Sequence, residues 1–210
     1  DLVEPGTHRV LLNRLYGSDV LVVTEAAKTA AEALLDGGVL PVMKHMPGHG
    51  RAAVDSHLDL PRVSASAEAL AARDFAPFYG LRHLKMAMSA HVVYEAIDPD
   101  SPATVSPAML RVIRAQIGFD GLIMTDDISM QALSGSVDER CAGALAAGCD
   151  VILHSNGIMS DMIAAMSAVG EMSTAAQRRG QAALDQRRSP SIIDAEALRA
   201  ELAELLRPVE

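Results

Sequence analysis

The sequence predicts an α/β fold of parallel strands that carry polar groups at their C-terminal ends, and three segments make that prediction. Val39-Leu40-Pro41-Val42-Met43 is an apolar run that leads into Lys44-His45 and then into the Gly/Pro loop Met46-Pro47-Gly48-His49-Gly50. Met86-Ala87-Met88-Ser89-Ala90-His91-Val92-Val93-Tyr94 is a second, with a histidine near its exit. Gly121-Leu122-Ile123-Met124-Thr125 is a third, and it stops at two adjacent carboxylates, Asp126 and Asp127. Helix-like stretches separate the three. This is the arrangement by which α/β barrels gather catalytic groups on one face.

Taken in order, the elements begin with Ser18 and Asp19, which can cap a helix running to about Asp36 with Gly37-Gly38 as its stop, although Val20-Leu21-Val22-Val23 alone would pass for a strand. A strand is expected over 39–45, bounded by the Gly/Pro loop. Ser66 opens a helix toward Tyr79, which Gly80 closes, and a strand follows over 86–93. Ser106-Pro107 is an N-cap and first-turn pair, with Gly118 as the stop. Next come a strand over 121–125, a helix near 138–147 ending at Gly148, and a strand over 150–154. Arg178, Arg179, Arg187 and Arg188 bracket an Ala-rich helical segment whose charges read as a solvated face. Ser189-Pro190-Ser191 separates it from a last amphipathic helix over 194–206. The βαβα order implies parallel strands joined by right-handed crossovers.

Hydrophobic residues make up 50% of the 210, enough for a sizeable core in one globular domain over 1–210. A net charge of -9 argues against nucleic acid and anionic membrane as partners, since both attract basic surfaces. Two cysteines, Cys141 and Cys149, suit buried thiols in a reducing, cytoplasmic compartment better than a disulfide framework. The sequence shows no signal peptide and no apolar run long enough to span a bilayer.

The segments KHMPGHG (44–50), DSH (55–57), MSAHVVY (88–94) and TDDISM (125–130) together resemble the bacterial β-N-acetylhexosaminidases of glycoside hydrolase family 3, enzymes of peptidoglycan recycling. Order and spacing agree from Asp1 to at least Asn156, and Met46 stands where the family more often has Phe, a packing change. The resemblance implies a (β/α)8 TIM-barrel domain of which this chain holds only the C-terminal four strand–helix units plus C-terminal helices. The family's first four strands, and an acidic Gly-Gly segment that helps shape the sugar site, have no counterpart here. A complete barrel takes roughly 250 residues. The chain is therefore expected to lack the N-terminal part of the domain and to associate with itself over the exposed edges.

The same resemblance implies roles. Asp126 matches the nucleophile of a retaining reaction that releases terminal N-acetylglucosamine from muropeptide-type glycans through a covalent glycosyl-enzyme. His57 matches the acid/base and Asp55 the carboxylate that orients it. Imidazole suits the task, because an unperturbed histidine titrates near ~6.5 and both gives and takes a proton around neutrality. Arg14, Lys44 and His45 match groups that hydrogen-bond the sugar hydroxyls, in a chain with no Trp for ring stacking. Asp127 is assigned to structure as a helix N-cap, His91 to the core under the site, and His49 to bracing the loop; His8 and His154 carry no role. No metal or organic cofactor is implied. Three alternatives stay open: a metal-dependent hydrolase using His45, His49, Asp55, His57 and His91 as N/O ligands; a fragment that binds sugar or partners without catalysis; and glycosyl transfer to phosphate instead of water.

Overall fold

The computed structural model describes residues 1–207. His8 caps a short helix α1 (Arg9–Leu12), and the Asp19 carboxylate accepts from the N–H groups of Leu21 and Val22 to start α2 (Val20–Asp36). Val20–Val23 is thus the first turn of a helix and not a strand. β1 covers only Met43–Met46; residues 39–42 approach it unpaired, so the expected strand over 39–45 is shorter and shifted toward the loop. β2 (Arg62–Val63) follows the Gly/Pro arm. Ser66 caps α3 (Ala67–Ala69), as expected, but the helix then widens into a π turn over Leu70–Asp74 before α4 (Ala76–Leu81).

Gly80 does not end that helix. It lies inside α4, where a Cβ would sit 2.5 Å from Thr24 Cγ2, so the glycine lets α2 and α4 approach closely. The apolar run over 86–93 is likewise two strands, β3 (Met86–Ser89) and β4 (Val93–Tyr94). The chain leaves the main sheet at Ala90, and β4 pairs in parallel with β2 in a small second sheet. Ser106 caps α5 (Pro107–Arg111), which runs into a second π turn over Val112–Gln116, and Gly118 turns the chain at φ +75°. β5 (Leu122–Asp127) comes next, longer than expected at its C-terminal end. A Ser136/Glu139 capping box opens α6 (Val137–Ala147), and left-handed Gly148 closes it. Then come β6 (Val151–Leu153), α7 (Met159–Val169), α8 (Thr174–Leu184) and α9 (Ala195–Leu205). α7 has no counterpart among the expected elements.

The main sheet is parallel throughout, in the order β1-β3-β5-β6. Its register sets Ala87 opposite both Met43 and Ile123, and Asp127 opposite Leu153. Such a sheet must be covered on both faces. Met46, Ala87 and Ile123 are fully buried in one core with Leu70, Phe78 and Ile113 from the helical segments and Phe119 from the turn before β5. At the N-terminal end of the strands, buried Asp150 ties the layers together. It accepts from Arg114 Nη2 (2.6 Å), Arg179 Nη1 (2.9 Å) and the Ile123 N–H (2.8 Å). Among the described residues, β1 pairs only with β3 and β6 only with β5, so both outer edges of the sheet are open. Cys141 and Cys149 are free and buried, and burial raises the Cys149 thiol to about 12.

Candidate active site

Three strand ends converge. β1 delivers His45 and then His49, β5 delivers Asp126, and the segment after β3 places His91 beneath them. His45 Nε2 stands 3.8 Å from Asp126 Oδ2. The Asp126 side chain keeps 15% of its surface exposed, and its Oδ1 accepts the Asp127 N–H at 2.8 Å, with Oδ2 facing His45. Asp127 faces the other way. Its carboxylate accepts from the N–H and hydroxyl groups of both Ser129 and Ser155, clamping the loops after β5 and β6. Burial pushes that carboxyl up, but these bonds outweigh it and hold the group below the usual carboxylate range. Asp127 is structural, as expected, through a clamp between two loops and not through a helix N-cap.

His91 is fully buried and satisfied. Its Nε2–H donates to the Asp127 carbonyl (3.0 Å) and its Nδ1 meets Thr104 Oγ1 (2.7 Å), so it supports the backbone that carries the two carboxylates. His49 is buried too, with Nε2 at 3.2 Å from Ser56 Oγ, edge-on to His45 at 5.3 Å between ring centroids. Burial lowers the affinity of all three rings for a proton. His49 falls to about 4, with His45 adding to the effect; His45 falls well below its ordinary value, Asp126 opposing; His91 is lowered likewise. At neutral pH these three imidazoles are therefore uncharged.

Asp1 completes this cluster. Its carboxylate, only 2% exposed, accepts from the His45 N–H (3.0 Å), the His49 N–H (2.7 Å) and His45 Nδ1 (2.8 Å). The Lys44–His45 and Met46–Pro47 peptide bonds beside it are cis. Gly50 is obligatory here for space, since a Cβ would lie 1.9 Å from the Leu2 carbonyl oxygen. Nothing in the sequence marks Asp1, because the partners of its side chain lie 44 and 48 positions away and no motif spacing joins them.

Asp55 and His57 pair on the arm beyond Gly50. Asp55 Oδ1 accepts from both the His57 N–H (3.0 Å) and Nδ1 (2.7 Å), and the His57 N–H is the main reason the Asp55 carboxyl lies below its usual range. His57 is 60% exposed, and among the described residues no hydrogen bond or ion pair joins the dyad to Asp126. Ser56 between them points inward onto His49, while Arg51, at the root of the arm, donates to buried Asp74 (2.8 Å) from the π turn. The arm is thus anchored at its root and middle with the dyad outward.

Arg14, Lys44 and His45 line one cleft of about 230 Å³, together with Asp1, Tyr16 and an apolar wall that includes Leu34 and Phe78. The structure so divides the expected residues into three groups: His45 with Asp126, Arg14 and Lys44 in the adjoining cleft, and Asp55 with His57 on the arm. Among the described residues no three His, Cys, Asp or Glu side chains are placed to hold a metal ion together, which leaves the five-residue ligand set scattered.

Comparisons with known proteins give the family of the chain. A β-hexosaminidase of Alkalilimnicola ehrlichii is 39% identical over 156 residues, covering 72% of this chain and 44% of its own length. Among solved structures, a glycoside hydrolase family 3 β-N-acetylglucosaminidase from Paenibacillus sp. superposes with a TM-score of 0.81 at 31% identity, over 91% of this chain and 40% of that one. NagZ from Neisseria gonorrhoeae, in complex with N-trifluoroacetyl-D-glucosamine, superposes with a TM-score of 0.77 at 29% identity, over 96% of this chain and 58% of that one. The chain therefore spans less than half the length of the curated relative it matches, and its four parallel strands are part of a TIM-barrel type α/β domain. With the profile of the Glycosyl hydrolase family 3 N terminal domain matching residues 8–185, the chain belongs to glycoside hydrolase family 3.

Proposed function

We propose that this chain carries the nucleophile, the acid/base and part of the sugar-holding surface of a retaining β-N-acetylhexosaminidase, within one catalytic domain. The observation that carries the reading is Asp126. It is a partly exposed carboxylate on a strand end, with one oxygen held by the Asp127 N–H and the other directed toward His45. Rigid placement of this kind suits in-line attack.

In the first step Asp126 Oδ2 bonds to the anomeric carbon while the glycosidic C–O bond breaks, and His57 Nε2–H gives its proton to the departing oxygen. Asp55, bound to Nδ1, keeps that nitrogen protonated and stabilises the imidazolium before transfer. In the second step His57 Nε2 takes a proton from water, the water oxygen bonds to the anomeric carbon, and the ester bond to Asp126 breaks. Two displacements return the β configuration. The outward dyad reaches the site by a swing of the arm about its root at Arg51, a motion that releases Ser56 from His49. Arg14, Lys44 and His45 hold the hydroxyls of a terminal N-acetylglucosamine.

The relatives' names support hexosaminide chemistry. The motif resemblance supports a muropeptide-type substrate of cell-wall recycling, and the two buried free thiols agree with a cytoplasmic setting. Self-association over the two open sheet edges belongs to the same reading. The deciding experiment is incubation with a fluorinated N-acetylglucosaminide that traps the intermediate, followed by peptide mapping. The adduct is expected on Asp126. An adduct on Asp127, or turnover of a chromogenic N-acetylglucosaminide that Asp126→Ala leaves within tenfold, would overturn the assignment.

A further inference from the structure

Asp1 is the most enclosed charged group of the site, and the reaction steps above make no use of it. Its two oxygens collect N–H groups from two points of the KHMPGHG segment: His45 N–H at 3.0 Å and 3.1 Å, His49 N–H at 2.7 Å, and His45 Nδ1 at 2.8 Å. A carboxylate that receives two backbone N–H groups is an acceptor at both oxygens, so the ring nitrogen facing it must be the one that bears hydrogen. The other ring nitrogen, Nε2, faces Asp126 Oδ2 across 3.8 Å, a gap too long for a hydrogen bond, and His45 itself lines the cleft that holds Arg14 and Lys44.

We propose that Asp1 is a positioning residue that locks His45 in the neutral Nδ1–H tautomer and so turns its Nε2 into a hydrogen-bond acceptor facing the sugar. His45 then takes a hydrogen bond from a substrate hydroxyl, while Lys44 and Arg14, which own no acceptor, can only donate to one. The site reads a hydroxyl from both sides, as donor and as acceptor. The bare Nε2 also leaves Asp126 Oδ2 without a donor from this ring, which keeps that oxygen free to attack. The tautomer itself is independent of the reaction assigned above; its consequence for turnover rests on that reading.

The same carboxylate holds the His49 N–H, and His49 in turn meets Ser56 in the middle of the dyad arm at 3.2 Å. One buried acidic group therefore sets both the ring beside the nucleophile and the anchor of the loop that carries the acid/base.

The test is nitrogen NMR on the 210-residue chain labelled with ¹⁵N-histidine, with the His45 resonances identified by their loss in His45→Gln. Two-bond ring couplings separate the Nδ1–H tautomer, the Nε2–H tautomer and the imidazolium. His45 is expected as neutral Nδ1–H from pH 5.5 to pH 8. Either other form in the unmodified chain overturns the proposal, and this reading of the unmodified chain needs no turnover. In Asp1→Asn, whose amide has a single acceptor oxygen and presents an NH2 donor in place of the other, the ring is expected to populate Nε2–H. There kcat/KM on a chromogenic N-acetylglucosaminide is expected to fall by about tenfold to a hundredfold, the worth of one charge-assisted hydrogen bond. An unchanged tautomer in that variant overturns the role of Asp1. Absence of turnover in the unmodified chain would instead count against the hexosaminidase reading and leave the tautomer result standing.

Discussion

Asp126 and Asp127 are neighbours with opposite surroundings, and their substitution should separate chemistry from structure. Asp126→Ala removes a partly exposed carboxylate with one backbone partner, so turnover should drop by several orders of magnitude while the denaturation midpoint hardly moves. Asp127→Ala strips the loops after β5 and β6 of a shared acceptor and should destabilise the fold by about 1–3 kcal/mol, read by urea denaturation. Equal loss of stability in both would refute the division of labour. His49 supplies a pH signature. Its folded-state value of about 4 lies below the unfolded value near ~6.5, so the unfolded chain binds the extra proton between the two. Stability should therefore rise by on the order of 3 kcal/mol from about pH 4 to ~6.5, and His49→Gln should flatten that slope; a slope unchanged in the variant would mean the ring is not buried neutral. Much of this was legible in the sequence at the residue scale. The strand-end placement of Asp126 and the satisfied, buried state of His91 follow from apolar runs that stop at polar groups. Asp1 and Ser56 were not legible, because their importance lies in partners brought together by the fold.

At the scale of elements, caps were the readable signals and continuous runs the misleading ones. Asp19, Ser66 and Ser106 each cap the helix they were expected to start, since a side-chain oxygen satisfies N–H groups within three residues and needs no tertiary context. The run over 86–93 carried no mark of the break at Ala90, which depends on β2 lying alongside β4 to receive the second half. Gly80 has the look of a helix stop in the sequence, whereas its role is the close approach of α2. Gly80→Ala would push a Cβ to 2.5 Å from the methyl of Thr24, a β-branched side chain with few rotamers to yield. A loss of about 1–3 kcal/mol is expected by thermal denaturation, the usual cost of overpacking; a neutral or stabilising outcome would show that glycine to be dispensable. The dyad arm makes its own prediction. If His57 is the acid proposed above, His57→Ala should slow alkyl and sugar leaving groups far more than activated aryl ones, because only the former need a proton to depart. Asp55→Ala should show the same pattern weakened, and equal losses across leaving groups would remove the acid role.

At the scale of the whole molecule, among the described residues the four-stranded sheet ends in two unpaired edges, β1 and β6, and the surface beside β6 is apolar. Met159, Ile163 and Met166 of α7 are exposed, and a cleft of about 630 Å³ beside them is lined by Ile152, Met162, Val169 and Met172. In a closed barrel such edges disappear by pairing, and in an open sheet they are templates for another chain. Two copies offer a closed solution, with β1 of each pairing to β6 of the other, an arrangement with twofold symmetry that would bury both edges and the apolar cleft. The 210-residue chain on its own should therefore sediment and scatter light as a dimer or as larger particles whose proportion rises with concentration. Charged substitutions at Met162 and Met166 should shift it toward smaller species, because they place a poorly solvated charge in the contact. A chain that stays a monomer at every accessible concentration and still unfolds cooperatively would show that four strand–helix units suffice to close this core, and the half-barrel view of the fold would have to be replaced by one in which β1 and β6 are natural edges.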